Sequence, residues 1–410
     1  MNILFLTMLS SLRDIEAKGI YSDLMRKFRD EGHEVYIIYP NERRSGRPTH
    51  LDENHGVHSL GVKTLNLTKT TVLEKGIGQL MVEGQYRRAL KKFFGGVSFD
   101  LILYSTPPIT FCNVIRYAKK MSGNKAKTYL MLKDIFPQNA VDMGMLRTTG
   151  VKSVLYRMFR RKEEELYRLS DHIGCMSPAN VRYVLEHNPE LSAEKVEICP
   201  NSIAAHPQSV TEGEDDYLSF QLKVREKYGL PTDRPIFIYG GNLGIPQGIP
   251  FLIECLDANA EREDCHFVVV GNGTYYQRLY EWSRCRKPKA VTIMEGLPLA
   301  DYDQLVRACD VGLIFLDYRF TIPNFPSRLL SYLECRMPII ACTDPNCDMG
   351  TIAEENGFGV YVPSNDVRAF THAVDRLISS DTKAMGERGF QFFSENYLVE
   401  HSYHQIMKHM

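Results

Sequence analysis

The sequence has no C-x-x-C pair, although ten of its 410 residues are cysteines. The nearest neighbours, Cys342 and Cys347, lack the second pair or the histidines that would complete a zinc site. Scattered cysteines in a chain of this size also argue against a disulfide scaffold. We therefore expect reduced, mostly buried thiols and a cytoplasmic protein.

Long apolar runs and an excess of one charge are also missing. No stretch approaches the ~18–20 apolar residues that cross a bilayer. The apolar start, Met1–Leu12, runs straight into Arg13 without the basic segment or cleavage site of a signal peptide. Lys and Arg number 49 against 50 Asp and Glu, for a net charge of -1. This balance disfavours a dedicated nucleic-acid binder, so no nucleic-acid partner is expected.

What the sequence does contain is two successive series of strand–helix units. One core rarely grows beyond ~250–300 residues, so a chain of 410 residues predicts two domains. Residues 1–201 and 234–387 each alternate short apolar runs with segments of helical spacing, and residues 202–233 are interpreted as a linker. This pattern predicts an α/β fold of two Rossmann-like, doubly wound domains. Ligands bind at the carboxyl ends of such strands, here expected to face each other across a cleft.

The most informative segment follows the first strand of the second series. It reads Y-G-G-N-L-G-I-P-Q-G over residues 239–248. Glycines let backbone N–H groups approach an anion, and a helix predicted from about Gly248 adds its positive end. A second turn, V-G-N-G at 270–273, ends the next strand. Together these turns predict a phosphate site; the alternative is a pair of glycine-rich turns that bind nothing.

A predicted helix beginning near Pro326 and Ser327 carries a cation in its first turn. The helix dipole disfavours Arg328 at this position, so an anionic ligand at the same end would explain it. The alternative is a solvated arginine. Next to the two glycine turns, Arg328 completes a predicted pocket for a diphosphate.

The sequence resembles the retaining glycosyltransferases of family 4, which have the GT-B fold. The resemblance rests on the order of its motifs: G-N-L-G…Q-G, then V-G-N-G, then P-S-R-x-x-x-Y before M-P-I-I-A. The first half agrees. S-T-P-P at 105–108 and K-D-I-F-P-Q-N at 133–139 are similar to segments of a branch that makes bacterial O-antigens and capsules. That branch often transfers N-acetylated amino sugars such as N-acetylfucosamine.

The resemblance implies an acceptor-binding domain at 1–201 and a nucleotide-sugar domain at 234–387, with a helix at about 388–410 packing back on the first domain. It implies a UDP-sugar donor, a lipid-linked saccharide acceptor and no metal or other cofactor. Asp134 and Arg328 are the implied catalytic residues, and Asp14, Glu16, Ser105 and Pro107 lie on the acceptor side. The implied donor-binding residues are Gly241, Asn242, Leu243, Gly244, Gln247, Gly271, Asn272, Gly273, Gly296, Pro326, Ser327, Arg328, Ser331 and Glu334.

The chain departs from the family at several of these positions. The family's second glutamate near this helix falls at Ser331, and the first falls at Pro323. Glu334 either replaces the missing carboxylate or is a solvated surface charge, the latter being slightly favoured. Asp134 stands where many relatives have a histidine; it either orients or deprotonates the acceptor hydroxyl, or fixes the loop before Pro137.

An Asp-x-Asp, Asp301 and Asp303, would elsewhere suggest a metal–diphosphate site. Here it falls at the start of a predicted helix, where acidic residues favour the dipole, so capping is the preferred interpretation.

Two basic clusters predict contact with the inner face of the cytoplasmic membrane. The first covers residues 146–162, where Val151, Val154, Leu155, Met158 and Phe159 form a helical stripe among six cations. The second covers residues 87–94. Amphipathic helices of this kind bind anionic leaflets. Alternatively, each stripe packs on the sheet and its charges are solvated.

The sequence therefore predicts an enzyme that transfers a sugar from a UDP-sugar with retention. Two alternatives remain. The same fold and phosphate loops serve UDP-amino-sugar 2-epimerases, although the carboxylates and histidine that these need are not found at the expected strand ends. A catalytically silent partner in polysaccharide assembly is favoured only by the missing glutamates.

Overall fold

The computed structural model describes residues 1–68, 70–150, 153–205 and 214–410. The chain divides into two units. The first comprises Met1–Ala204 and Val399–Met410, and the second comprises Ala205–Leu398. Both are α/β units with largely parallel sheets, as the sequence predicts.

The first unit has an eight-stranded sheet in the order β3-β4-β2-β1-β5-β6-β7-β8, in which only β3 and β4 pair antiparallel. Its core contains the buried runs Ile3–Leu6 and Leu101–Tyr104. The strands are β1 Asn2–Leu6, β2 Glu34–Glu42, β3 His50–Asn54, β4 Val57–Thr64, β5 Leu101–Ser105, β6 Lys127–Leu132, β7 His172–Cys175 and β8 Val196–Ile198. The helices are α1 Ile20–Asp30, α2 Val72–Phe93, α3 Cys112–Met121, α4 Gln138–Asp142, α5 Ser153–Leu169 and α6 Pro178–His187.

The second unit has a six-stranded parallel sheet in the order β11-β10-β9-β12-β13-β14. The strands are β9 Ile236–Asn242, β10 His266–Asn272, β11 Val291–Met294, β12 Val311–Phe315, β13 Ile339–Thr343 and β14 Gly359–Pro363. The helices are α7 Glu214–Lys227, α8 Ile249–Ala258, α9 Tyr276–Arg286, α10 Leu299–Arg307, α11 Arg328–Glu334, α12 Met349–Glu355, α13 Val367–Ile378 and α14 Thr382–Asn396. The strand order reverses direction between β9 and β12, which is where such sheets bind ligands.

The unit boundaries differ from the sequence-based ones at two places. Within 202–233, interpreted as a linker, residues 214–227 form α7 of the second unit, while residues 206–213 lie outside the described residues. At the end of the chain, α14 belongs to the second unit, and only the last helix, α15 Val399–Met407, joins the first. Val399 N donates to Ile203 O at 3.0 Å, and Ser202 Oγ lies 2.7 Å from Ser402 Oγ.

Candidate active site

The site in the second unit begins where β9 and β12 separate. These strands pair only at Phe237–Val311 and Ile238–Gly312, whereas β9 stays paired with β10 as far as Asn242. The hydroxyl of Tyr332 lies 3.1 Å from Ile238 O and 3.3 Å from Leu313 O, so it can donate to a carbonyl of either strand. This buried tyrosine from α11 therefore closes the base of the crevice that the diverging strands leave.

Arg328, the first residue of α11, lies in this crevice. Its guanidinium carbon is 4.4 Å from the centre of the Tyr239 ring. Gly241 adopts φ +123°, and a Cβ there would stand 2.7 Å from Arg328 Nη2. The glycine turn after β9 and the cation of α11 are thus in direct contact, and a side chain at 241 would displace the guanidinium.

The charge of Arg328 is not neutralised by any residue that the structure describes. Its Nη1 is buried and has no hydrogen-bond partner among those residues. The groups packed nearby include the phenols of Tyr302 and Tyr332; burial raises the pKa of Tyr302 to about 12, and it also holds the pKa of Tyr332 well above the ordinary value of a phenol. Both are therefore neutral at pH 7. A partly buried guanidinium whose Nη1 has no partner among the described residues favours an anionic ligand, because the desolvation of that nitrogen is otherwise uncompensated.

The predicted donor-side turns meet at the carboxyl ends of β9, β10 and β11. Gly271 lies so close to Gly241 that a Cβ would stand 1.9 Å from Gly241 O. Leu243 N donates to Asn272 O at 2.9 Å, and Gly296 N donates to Asn272 Oδ1 at 3.3 Å. A Cβ on Gly273 would stand 2.3 Å from Leu243 O. Close backbone approach thus explains several of the glycines.

Asn242 and Gln247 bond to each other across the first turn, with Nδ2 donating to Oε1 at 2.9 Å. A Cβ on Gly244 would stand 2.7 Å from that amide nitrogen. Gly248 has φ +56° and precedes α8, so the helix begins beyond the turn, as predicted. Of the predicted donor-side residues at this edge, the exposed ones are Gly241, Asn242, Asn272, Gly273 and Gly296.

The remaining predicted donor-side residues lie on or just before α11. Ser327 occupies the N-cap position and is exposed, but its side chain makes no capping hydrogen bond. Pro326 and Ser331 are partly exposed. The favoured interpretation of Glu334 as a solvated charge is wrong, since this residue is only 4% exposed. It lies on the packed side of α11 with Leu330 and Leu333.

Asp301 of the Asp-x-Asp lies in the first turn of α10, where the helix dipole favours a negative charge. It also pairs with Lys227 Nζ at 2.8 Å. Between the two aspartates, Tyr302 packs on the backbone of β9, where a Cβ on Gly240 would stand 2.1 Å from its hydroxyl. Among the described residues, no group of three or more His, Cys, Asp or Glu is arranged to hold a metal ion.

In the first unit, Asp134 follows β6 and is held by its own loop. Asn139 Nδ2 lies 2.8 and 2.7 Å from its two carboxylate oxygens. Thr106 Oγ1 donates to Asp134 O at 2.9 Å, which ties this loop to the one after β5. Burial raises the pKa of Asp134 to about 6, with the Asn139 hydrogen bond acting in the opposite direction. The loop-fixing contacts are present, and a carboxyl group with this pKa can also exchange a proton near neutrality.

The acceptor-side residues lie at or beyond the ends of β1 and β5, which are paired neighbours in the first sheet. Asp14 and Glu16 are exposed, with Glu16 N donating to Asp14 Oδ1 at 3.1 Å and Glu16 pairing with Arg29 at 2.7 Å. Ser105 is buried at the end of β5, and Pro107 is exposed beyond it.

The two basic clusters lie on one helical layer of the first unit. Asn113 Nδ2 of α3 donates to Glu83 of α2 at 2.9 Å, and Arg116 of α3 pairs with Glu165 of α5 at 2.6 Å. Val154 (61%), Leu155 (44%) and Met158 (44%) are exposed on α5, and Leu80 (74%) is exposed on α2. These apolar side chains do not pack on the sheet. Val151 and Lys152 lie outside the described residues.

The cations around this apolar surface have different surroundings. Arg157 and Arg161 are exposed on α5. Arg160 instead pairs with the buried Glu163 at 2.7 Å and bonds Asn188 Oδ1 at 2.6 Å. Arg160 is therefore an internal partner and not a surface charge. No helix among the described residues is long and apolar enough to cross a membrane.

The sequence analysis gave no role to the three tyrosines at positions 239, 302 and 332. Two of their rings pack against glycines: a Cβ on Gly312 would stand 2.3 Å from the Tyr332 ring, and Gly240 likewise makes room for Tyr302. Glycines on the neighbouring strands are the sequence signal that could have indicated these two packed rings. Tyr239 O–H donates to Asn242 O at 2.8 Å and so braces the glycine turn from below. Lys133, whose Nζ donates to Cys199 O at 3.1 Å, is a further buried polar group that was not singled out.

Comparison with known families decides the class of the second unit. Residues 220–391 match the family described as glycosyl transferases group 1. The second unit is a group 1 glycosyltransferase domain. The matched range of this glycosyltransferase domain contains both glycine turns and Arg328.

Curated relatives extend the similarity over more of the chain. The chain is 24% identical over 315 residues to the "Probable glycosyltransferase WbjE" of Pseudomonas aeruginosa, covering 73% of this chain and 71% of that protein. It is 26% identical over 284 residues to the "Putative colanic acid biosynthesis glycosyl transferase WcaI" of Escherichia coli, covering 68% and 66%.

Solved structures share the fold of the whole chain. A sucrose-phosphate synthase from Thermosynechococcus elongatus matches 99% of it with a TM-score of 0.73 at 14% identity, over 97% of its own length. Anabaena HepE in complex with UDP and glucose matches 100% of it with a TM-score of 0.68 at 15% identity, over 98% of its own length. Together with the two sheets described above, these matches show the GT-B fold.

Proposed function

We propose that this protein transfers a sugar from a UDP-sugar to a lipid-linked saccharide acceptor in the synthesis of a bacterial polysaccharide. The observation that carries the proposal is the unneutralised guanidinium of Arg328, with its buried Nη1 and its direct contact with the Gly241 turn. This arrangement suits the diphosphate of a nucleotide-sugar. Anabaena HepE, which shares the fold, is recorded in complexes with UDP and with UDP-glucose.

The chemistry follows from the charge that develops on the leaving group. When the bond between the anomeric carbon and oxygen breaks, negative charge accumulates on the β-phosphate of UDP. Arg328, with backbone N–H groups of the glycine turns, stabilises that charge in the proposed mechanism. The acceptor hydroxyl forms the new glycosidic bond and gives up its proton, for which Asp134 is the proposed recipient. No metal is required in this proposal.

The finer assignments depend on the family resemblance. Family 4 membership implies retention of the anomeric configuration, and the similar O-antigen and capsule branch implies an N-acetylated amino sugar as the donated group. The name of the Escherichia coli relative refers to colanic acid biosynthesis, which supports a role in polysaccharide synthesis. The exposed apolar and basic surface of α2 and α5 supports peripheral contact with the cytoplasmic face of the inner membrane.

The proposal is tested by incubating the purified protein with UDP-GlcNAc, UDP-GalNAc and a UDP-N-acetylfucosamine-type donor, with and without bacterial membrane lipids. We expect one donor to release UDP in a lipid-dependent reaction, with an α-configured donor giving an α-linked product by NMR. The matched control is Arg328→Ala, which should release UDP much more slowly from the same donor.

Other outcomes would replace the proposal. Conversion of a UDP-sugar into its 2-epimer without any acceptor would identify an epimerase. Normal UDP binding without turnover of any donor, in the presence of membranes, would identify a silent assembly partner. A product with inverted configuration would leave glycosyl transfer in place and contradict retention.

A further inference from the structure

A cavity in the first unit has a lining that contains none of the residues discussed as catalytic. It has a volume of about 360 Å³ and lies where β1 and β2 end. This is the carboxyl edge of the first sheet, and the volume can hold a sugar-sized or phosphate-sized group. Its walls are formed by Ser10, Ser11, Arg13, Pro40, Asn41, Glu42, Arg44, Ser45, Arg47 and Thr68.

The cavity is basic once its internal ion pair is taken into account. Its lining contains three arginines and one acidic residue, Glu42. Arg44 pairs with Glu42 and bonds Thr68 O at 2.9 Å, so the charge of Arg44 is used within the wall. Arg13 and Arg47 are exposed, and neither pairs with a carboxylate among the described residues. Two unpaired positive charges therefore remain.

Arg13 and Arg47 both lie close enough to the Tyr39 phenol to affect its pKa. Burial raises the pKa of the Tyr39 phenol and Asp52 adds to this, whereas Arg13 and Arg47 both oppose the rise. The Tyr39 hydroxyl is itself buried without a hydrogen-bond partner among the described residues. Both guanidinium groups thus approach the end of β2 from different segments, Arg13 from the turn after β1 and Arg47 from the turn after β2.

The neighbouring donors suit an anion. The hydroxyls of Ser10 and Ser11 line the cavity beside Arg13 and have no partner among the residues that the structure describes. Arginine presents several N–H donors in a planar fork that matches the oxygens of phosphate and carboxylate groups. A neutral sugar would leave the two cations unpaired, whereas an anionic group would pair with both.

We propose that this cavity is an anion subsite that holds a phosphate or carboxylate group of the acceptor. The inference rests on the proposed function, because it takes the ligand of this cavity to be the saccharide acceptor. The same chemistry has two sources: the diphosphate of a lipid carrier, or the carboxylate of an acidic sugar in the acceptor.

The experiment uses the full chain with its donor site filled by saturating UDP. Inorganic pyrophosphate, glucuronate and glucose are titrated separately by calorimetry, at low and at high salt. The test variant is Arg13→Ala/Arg47→Ala. The control is Arg43→Ala, which removes a neighbouring arginine that is paired with Glu74 at 2.9 Å and does not line the cavity.

We expect one of the two anions to bind the wild type and Arg43→Ala equally, with affinity that falls as salt rises. The double variant should bind about tenfold or more weakly, because two charge-assisted contacts are lost. Glucose should not bind. Pyrophosphate binding alone would indicate the lipid diphosphate as the source, and glucuronate binding alone would indicate an acidic sugar.

Binding of neither anion, or equal binding by the wild type and the double variant, would overturn the inference. The UDP affinity of the double variant should equal that of the wild type. Failure of the wild type to bind UDP would contradict the proposed function alone. The anion titration, repeated without UDP, would still show whether the cavity binds an anion.

Discussion

The two units are built from the same kind of parallel sheet but use the carboxyl ends of their strands differently. In the second unit, glycines let backbone and rings approach closely, and Arg328 lies partly buried with an Nη1 that has no partner among the described residues. In the first unit, the strand ends carry charged side chains such as Arg13, Arg47 and Asp134, on loops tied together by hydrogen bonds. The carboxyl edge of the second sheet is therefore formed mainly by backbone atoms, and that of the first sheet mainly by side chains.

This difference agrees with the ligand that the proposed function assigns to each unit. A nucleotide diphosphate has a fixed shape, and backbone N–H groups with one guanidinium can recognise it. A saccharide acceptor varies in its hydroxyl and charged groups, and variable side chains on loops are the means of recognising it. The following predictions test that contrast, from the largest expected effect to the smallest.

Replacing a tightly packed glycine of the second unit should have the largest effect. In Gly271→Ala, the new Cβ would meet Gly241 O at 1.9 Å, and a backbone atom cannot move away as a side chain can. We expect a loss of ~3 kcal/mol or more in the free energy of unfolding, and loss of UDP binding. Chemical denaturation and UDP titration measure the two effects.

The matched control is Gly84→Ala in helix α2 of the first unit, where nothing lies within 4 Å of the new Cβ. This change should stabilise the protein by ~1 kcal/mol, because alanine is the better helix former. Equal effects of the two substitutions would mean that close backbone approach is not what the second unit requires.

Asp134→Asn tests the charged edge of the first unit. Burial raises the folded-state pKa of Asp134 to about 6, above its unfolded value of ~3.9. The ionised carboxylate therefore costs stability above pH 6, and the cost disappears below about pH 4. Relative to Asp134→Asn, the wild type should lose up to ~3 kcal/mol of stability as the pH rises from about 4 to 6.

Thermal unfolding of both proteins across this pH range provides the measurement. A constant difference in stability would contradict the buried setting of Asp134. Transfer rates separate the two proposed roles: a loop-fixing residue should leave turnover largely intact in the asparagine variant, whereas a proton acceptor should not.

The smallest predicted effect concerns the basic surface of the first unit. Arg157→Gln/Arg161→Gln should weaken binding to vesicles with anionic lipid by about thirtyfold, since each of the two cations near such a surface contributes ~1 kcal/mol. The control, Arg368→Gln/Arg376→Gln, removes two exposed cations from α13 of the second unit. Cosedimentation at low and high salt should show the difference.

If both double variants bind vesicles as the wild type does, the exposed side chains of α2 and α5 have another purpose. Arg160 is left unchanged in this design because it pairs with the buried Glu163, and its loss would disturb the fold.

Much of the second unit could be predicted from sequence because its signals are local. Apolar runs at 235–239, 266–270, 291–294, 311–315 and 338–342 predict five strands, which correspond to β9 to β13. The predicted turn around Gly241 does meet Arg328. The strand β14, Gly359–Pro363, was not predicted. In the first unit, β3 and β4 were missed: β3 is a mostly exposed edge strand, H-L-D-E-N, without an apolar face.

What could not be predicted depends on contacts between distant residues. Nothing near Glu334 indicates that it is buried, since that follows from the packing of α11. The role of Tyr332 requires two strands to diverge beside it. Likewise, Arg160 and Arg161 are adjacent and identical in sequence, yet only the first has a buried carboxylate as its partner.

The central claim is that Arg328 and the Gly241 turn form a pocket for the diphosphate of UDP. Calorimetric titration of UDP into the wild type, Arg328→Ala and Arg278→Ala tests it most directly, Arg278 being an exposed arginine of α9. We expect Arg328→Ala to bind UDP at least tenfold more weakly, while Arg278→Ala stays within about twofold of the wild type. Equal UDP affinity in a folded Arg328→Ala variant would contradict it.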